Sequence, residues 1–377
     1  MMQLESKNIR ERGGRKIHID IMRIVAMFAV IFNHTGEVGY AVYSKCRPGS
    51  LSFWFHLGCA VCCKFAVPLF FMISGALMLG KRDESIRTVY RKRVLRYVLI
   101  LFFISVFYAV SHHILYGDVY TVRSFLRMIY TSSLKYHLGF LYAYISFLVA
   151  LPLLRAFSSG MENRHYLYLS LVYLCICLLP VMQYLAWKGS ASLNSNIYPS
   201  LSGCALVFPM VGYFCEHRVS EQSVRKHLWM IWLINIVCIV LVCAATFIRG
   251  TDLGTFEEDK SQVFFEGLSW VNAAAVYLTC RCLFSRVIFK ERIQNIIMIL
   301  SRESLGIYLF HPLMKNLLDL HITDMIRALP LHPEVRTWVY VLSIFGTSFV
   351  FVWILRYIFK HLLLVEAVLR KQTKSDL

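Results

Sequence analysis

The chain alternates between apolar runs of about twenty residues and short polar segments rich in lysine and arginine. This is the pattern that a hydrocarbon layer about 30 Å thick imposes on crossing helices. The runs predict spans at 17–38, 52–79, 94–116, 137–157, 166–187, 197–216, 228–248, 262–284, 294–317 and 337–364. The expected fold is therefore all-α: a polytopic integral membrane protein of about ten transmembrane helices. The ninth run is the weakest, because Arg302 and Glu303 interrupt it; a segment that only dips into the bilayer there changes the count. Composition agrees with this class. Of 377 residues, 58% are hydrophobic and 16% charged, and the mean hydropathy is +0.57, far from the balance of soluble domains.

A formal net charge of +18 raises the question of nucleic acid, but the basic residues are spread between the apolar runs along the whole chain. That placement argues against a nucleic-acid partner and for the lipid bilayer. Lysine and arginine near span ends are retained on the cytoplasmic side. Five fall in the N-terminal segment (Lys7, Arg10, Arg12, Arg15, Lys16) and seven between Lys81 and Arg96, whereas the segment around Asp252, Glu257, Glu258 and Asp259 is acidic. Both termini are expected in the cytoplasm, with residues 1–16 and 367–377 as tails around one membrane domain, 17–366. The first apolar run has no small-residue cleavage pattern and is expected to stay as a signal anchor. No sequence feature bears on the oligomeric state.

Within this apolar frame a few polar groups stand out. Arg23 and His34 lie eleven residues apart in IHIDIMRIVAMFAVIFNHTG. At 3.6 residues per turn this is about three turns, so both project from one helical face roughly 16 Å apart. Asp20 lies one turn before Arg23, where it either pairs with the arginine or shares its task. Ionisable groups inside a membrane are costly, so each is a candidate functional residue. Lys64 interrupts the second run and is expected to face a cavity or a carboxylate; Ser74 and Gly75 follow, a small pair suited to close helix packing. Ser304, Tyr308 and His311 recur at helical spacing in the ninth run near Glu303, and His311 precedes Pro312. Glu37, one turn after His34, and His137, at the start of the fourth run, complete the set. The cysteines fall mostly inside apolar runs, where the residue packs as a small hydrophobe. His56, Cys59, Cys62 and Cys63 have ligand-like spacing but form only half a zinc cluster, so no metal is predicted.

Five segments carry a specific resemblance. DIMRIVAMFAVIFNH resembles the first-helix signature of the membrane acyltransferase 3 family, an arginine followed by ten residues and a histidine. KFAVPLFFMISGALML is similar to that family's second span, and KRVLRY carries Arg93 and Arg96 where the family has Arg-x-x-Arg at the cytoplasmic start of the third. YHLGFLYAYISFLVALPLLRAF resembles the fourth span and SLGIYLFHPL the ninth. The matches run in family order. Two departures, Gly139 where an aromatic is common and the lack of a proline soon after Arg96, lie away from the chemistry.

The resemblance implies transfer of an acyl group, usually acetyl and otherwise one such as succinyl, from cytoplasmic acyl-coenzyme A to a hydroxyl of a cell-envelope glycan or lipid-linked sugar. The implied setting is the plasma membrane of a bacterium. Such a transfer needs a base for the hydroxyl proton, and histidine has the pKa for it; His34 is the candidate. Acetyl-CoA, as co-substrate, is anionic at its nucleotide end, and Arg93 and Arg96, with Lys92 beside them, supply cations at the cytoplasmic mouth. Arg23 either guides the pantetheine arm or holds Asp20. The competing class is a carrier of small amino-acid-like molecules, because the membrane part of the serine racemases of vancomycin resistance is similar too.

Overall fold

In hydrocarbon every backbone N–H and C=O must be satisfied within its own segment, and the apolar runs accordingly fold as helices. The structure, a computed structural model, describes residues 15–81, 84–188, 204–321, 323–328, 330 and 332–375. Among them there is no strand. The elements are α1 (Ile17–Asn33), α2 (Leu51–Cys63), α3 (Ala66–Met78), α4 (Ile86–Val89), α5 (Leu95–Tyr116), α6 (Val122–Thr131), α7 (Gly139–Gly160), α8 (Asn163–Trp187), α9 (Cys204–His217), α10 (Glu221–Leu253), α11 (Glu258–Phe284), α12 (Glu291–His321), α13 (Thr323–Ala328) and α14 (Pro333–Ser375).

Among the described residues, seven stretches are long and apolar enough to cross a membrane: Leu51–Met78, Ile86–Tyr116, Tyr136–Gly160, Asn163–Trp187, Glu221–Leu253, Glu291–Leu320 and Val335–Lys360. The other three expected spans coincide with α1, α9 and α11, which fall short of the same measure of length and apolarity. Part of the sixth expected span, 197–203, lies outside the described residues. Large apolar side chains face outward along the bundle, among them Leu99, Phe103, Val110 and Ile114 on α5 and Leu233, Val237 and Val240 on α10. Lipid is the solvent that accommodates such a surface.

Two local departures from uninterrupted helix shape the interior. The second run divides at Lys64–Phe65, because Pro68 has no N–H for the carbonyl four residues earlier. The carbonyls of Cys62 and Cys63, at the end of α2, accept instead from Asn272 Nδ2 at 2.6 Å and Asn33 Nδ2 at 3.0 Å. Between α4 and α5 a π-helical turn, Tyr90–Val94, carries Arg91, Lys92 and Arg93. The ninth run, in contrast, is continuous: α12 passes through Arg302 and Glu303 for 31 residues. Glu303 is tolerated there because Arg302 and Arg356 each approach its carboxylate at 3.0 Å.

The first helix is enclosed by α3, α11, α12 and α14, so its polar residues face protein rather than lipid. Its N-terminal end is clamped by Glu216 on α9, which accepts from Lys16 Nζ at 2.6 Å and Tyr277 at 2.8 Å and lies 3.2 Å from His18 Nε2. Helices α3 and α9 approach most closely where Gly75 meets the Pro209 backbone and Gly212 meets that of Met72; a Cβ at either glycine would collide with the facing carbonyl. Gly75 thus has the close-packing role that its small size predicts.

Candidate active site

Three cavities run in series beside α1. The first, about 280 Å³, is lined by Lys81, Lys92, Arg93, Arg96, Tyr97 and Arg23. The second, about 580 Å³, shares Arg23, Ser74, Leu77, Tyr97 and Tyr144 with it and adds Asp20, Ser301, Ser304, Phe140 and Tyr308. The third, about 950 Å³, contains His34, Asn33, Lys64, Tyr136, His137, Glu266 and Lys315, and shares only Phe140 and Tyr308 with the second. The rings of Phe140 and Tyr308 meet edge to face at 5.3 Å. They form the partition between the two larger cavities. Phe140 is held by stacking on Tyr144 at 5.7 Å, and the Tyr308 hydroxyl donates to the His137 carbonyl.

His34 caps the end of α1 and meets α12 there. Its Nδ1 lies 2.8 Å from Nε2 of His311, and the two rings stack at 5.0 Å. Pro312 decides the tautomers. Lacking an N–H, it leaves the carbonyl of Tyr308, four residues back, without its helical donor, and His311 Nδ1 sits 2.8 Å from that oxygen. A carbonyl only accepts, so His311 carries its proton on Nδ1 and presents a bare Nε2. His34 then donates from Nδ1, and its own Nε2 is left as a lone pair. That is the arrangement of a base oriented by a second group. Tyr136, 4.8 Å from the His34 ring, and His137, 5.6 Å from that of His311, complete the aromatic surround. His311 is fully buried and lines none of the three cavities.

The opposite end of α1 carries the acid. Asp20 is 1% exposed and accepts from Arg15 Nε at 2.6 Å, Arg15 Nη2 at 3.1 Å, Ser301 Oγ at 2.6 Å and Arg23 Nη1 at 3.3 Å. Fourteen residues of helix put it roughly 21 Å along the axis from His34. Asp20 therefore has no contact with the imidazole; it ties α1 to α12 and holds Arg23 at the wall shared by the first two cavities.

At the basic mouth the cations differ. Arg93 is bound to Glu84, with Nε 3.1 Å and Nη2 3.0 Å from the carboxylate, and Arg155 Nη2 lies 2.7 Å from the same group. Burial pushes the Glu84 carboxyl upward, but the hydrogen bonds from Arg155 and Arg93 outweigh it and hold the group below the usual carboxylate range. Arg96 and Lys92 are exposed and make no ion pair with a described residue. They are the mouth's available cations. Glu84 and Arg155 escape sequence reasoning because each reads as an ordinary loop or span-end charge.

The remaining candidates divide. Lys64 lines the third cavity with Nζ 4.4 Å from the Tyr40 ring centre. Ser74 donates to Phe70 O at 2.9 Å and lines the inner cavities, and Ser304 lines the second. Glu37 does not orient His34; it is exposed and pairs with Lys45. Among the described residues no group of three or more His, Cys, Asp and Glu side chains has a metal-holding arrangement.

A helical membrane bundle with a hydrogen-bonded histidine pair between polar cavities is the class this geometry defines. A family profile described as an acyltransferase domain, that of the membrane acyltransferase 3 family, matches residues 17–357. The chain belongs to that family. No curated protein and no solved structure matches it significantly.

Proposed function

We propose that this membrane acyltransferase moves a small acyl group, acetyl as the first choice, from cytoplasmic acyl-coenzyme A to a hydroxyl of a cell-envelope glycan or lipid-linked sugar. The observation that carries the reading is the series of cavities leading from Arg96 and Lys92 past Arg23 to His34. In this account the nucleotide phosphates bind at Arg96 and Lys92, and the pantetheine arm passes Arg23, which Asp20 holds in place. The thioester reaches the partition at Phe140 and Tyr308. The acceptor occupies the large cavity on the other side.

His34 Nε2 takes the proton of the acceptor hydroxyl while its oxygen attacks the thioester carbonyl carbon. The tetrahedral intermediate expels sulfur, the C–S bond breaks, and the imidazolium returns the proton to the thiolate, which leaves as free coenzyme A. His311 is a positioning residue: it accepts from His34 Nδ1 and favours the imidazolium that forms. A base so placed typically contributes 10²–10⁴-fold. The reading places the protein in a bacterial plasma membrane with ten spans, both termini in the cytoplasm and α1 running outward.

The test is acyl-donor binding by the purified, folded protein. Saturable binding of acetyl-CoA, weakened in Arg96→Ala, is expected. No interaction at millimolar donor with the fold intact overturns the transferase reading and returns the carrier class.

A further inference from the structure

The ten-residue helix α6 does not pack as the others do. Its ten residues, VRSFLRMIYT, span about 15 Å, half of what a crossing requires. None of them is buried: Val122 is 77%, Leu126 51% and Tyr130 91% exposed. Yet the helix is well formed, its first turn capped by Thr121 Oγ1, which accepts from Ser124 N at 3.1 Å. Hydrophobic burial against the bundle therefore accounts for little of its placement.

Stepping about 100° per residue, Val122, Phe125, Leu126, Ile129 and Tyr130 fall in one arc, and Arg123, Ser124, Arg127 and Thr131 in the arc beside it. Arg123 and Arg127 are four apart on the same edge and make no ion pair with a described residue. Like charges at this spacing destabilise a helix, unless an anion lies against both. The helix is tied near its two ends and, through the Phe125 ring 6.3 Å from that of Phe102, touches α5. Asp118, just before it, accepts from Tyr120 OH at 3.4 Å and sits 3.1 Å from His112 Nδ1, while its carbonyl lies 2.8 Å from His113 Nδ1. After it, Tyr142 OH donates to the carbonyls of Ile129 at 2.8 Å and Ser132 at 3.2 Å. Between these ties and α5 lies a mainly apolar groove of about 400 Å³, lined by Val106, Ala109, Val110, Val119, Val122 and Phe125 together with His113, Asp118, Tyr120 and Thr121. Because α5 rises from the Lys92–Arg96 mouth, α6 lies at the opposite membrane surface.

We infer that α6 lies in the plane of that surface as a binding site for an anionic phospholipid. The headgroup phosphate bridges Arg123 and Arg127, and an acyl chain enters the groove against α5. Both halves of the match are needed. The mainly apolar groove favours a ligand with an acyl chain over a bare soluble anion, and the arginines favour a net-anionic headgroup over a zwitterionic one, whose own cation offsets its phosphate. The segment that follows α6 carries Tyr136, whose ring faces His34 at 4.8 Å, so a seated lipid fixes one wall of the large cavity. The inference depends on the membrane fold and not on the acyl-transfer reading.

The test is hydrogen–deuterium exchange of residues 122–131 in the full chain, in nanodiscs of phosphatidylglycerol or of phosphatidylcholine. Exchange is expected to be at least five-fold slower in phosphatidylglycerol, and the difference to vanish in the Arg123→Gln, Arg127→Gln double variant. Unchanged melting of that variant in phosphatidylcholine keeps a folding defect apart from a binding one; if it melts early, the single variants, each expected to lose part of the protection, replace it. Equal protection in both lipids, or a variant that keeps the difference, overturns the inference. Equal protection by free glycerol phosphate in phosphatidylcholine overturns it as well, because it assigns the site to a soluble anion.

Discussion

Replacing His311 with leucine separates orientation of the base from binding of the donor. The substitution removes the acceptor 2.8 Å from His34 Nδ1 and the donor 2.8 Å from the Tyr308 carbonyl, leaving two buried polar groups without partners. Each such loss costs about 1–3 kcal/mol. Only the first acts on His34, and at about 1.4 kcal/mol per factor of ten it lowers the acyl-transfer rate by about 5- to 150-fold. Because His311 lines none of the cavities, KM for the acyl donor should stay within about two-fold of wild type, the kinetic pattern of an interaction made only in the transition state. The assay is release of the coenzyme A thiol by purified protein supplied with envelope acceptor. His311→Gln can accept from His34 through its carbonyl and donate to Tyr308 through its amide, so it should recover part of the loss. Unchanged kcat in His311→Leu, or a loss confined to KM, refutes the relay.

Arg96→Ala and Lys92→Ala should raise donor KM about two- to five-fold each, the scale of an exposed charge pair, and the effect should shrink in high salt, as measured by initial rates. Arg93→Ala should instead lower thermal stability, because it strips a partner from Glu84. Phe140→Ala opens the partition shared by the two cavities; donor hydrolysis without acceptor should rise relative to transfer, and an unchanged ratio would show that the rings do not divide the cavities. The depressed Glu84 carboxyl stabilises the folded state above the unfolded pKa of about 4.3. This stability is lost as pH falls through the lower folded value. Glu84→Gln should therefore melt earlier than wild type at neutral pH, with the difference closing towards the acid end.

The all-helical fold and seven of the spans were legible because hydrophobic period acts locally. Arg23 lies in α1 and His34 at its C-cap, and Lys64 does face a cavity, at a break that Pro68 announces. The pairing of His34 with His311 is a long-range contact, but its signal was local too: His-Pro in a helix frees a carbonyl one turn back that the histidine can satisfy. A proline at this point can end a helix, but α12 runs on through it. Glu37 is near His34 in sequence, but the turn at Gly36 carries its exposed carboxylate to Lys45. The Glu84, Arg93 and Arg155 cluster was not legible, since ion pairs between segments 71 residues apart leave no periodic trace. For the same reason the difference between Arg93, already bound, and Arg96, available, needed coordinates.

The most direct measurement is a single-turnover transfer of labelled acetyl from acetyl-CoA to envelope acceptor by His34→Ala and wild type, with donor affinity measured on the same preparations. The account predicts donor affinity within about two-fold and transfer reduced by about 10²–10⁴-fold, the range of a lost general base. Normal transfer by His34→Ala would contradict it.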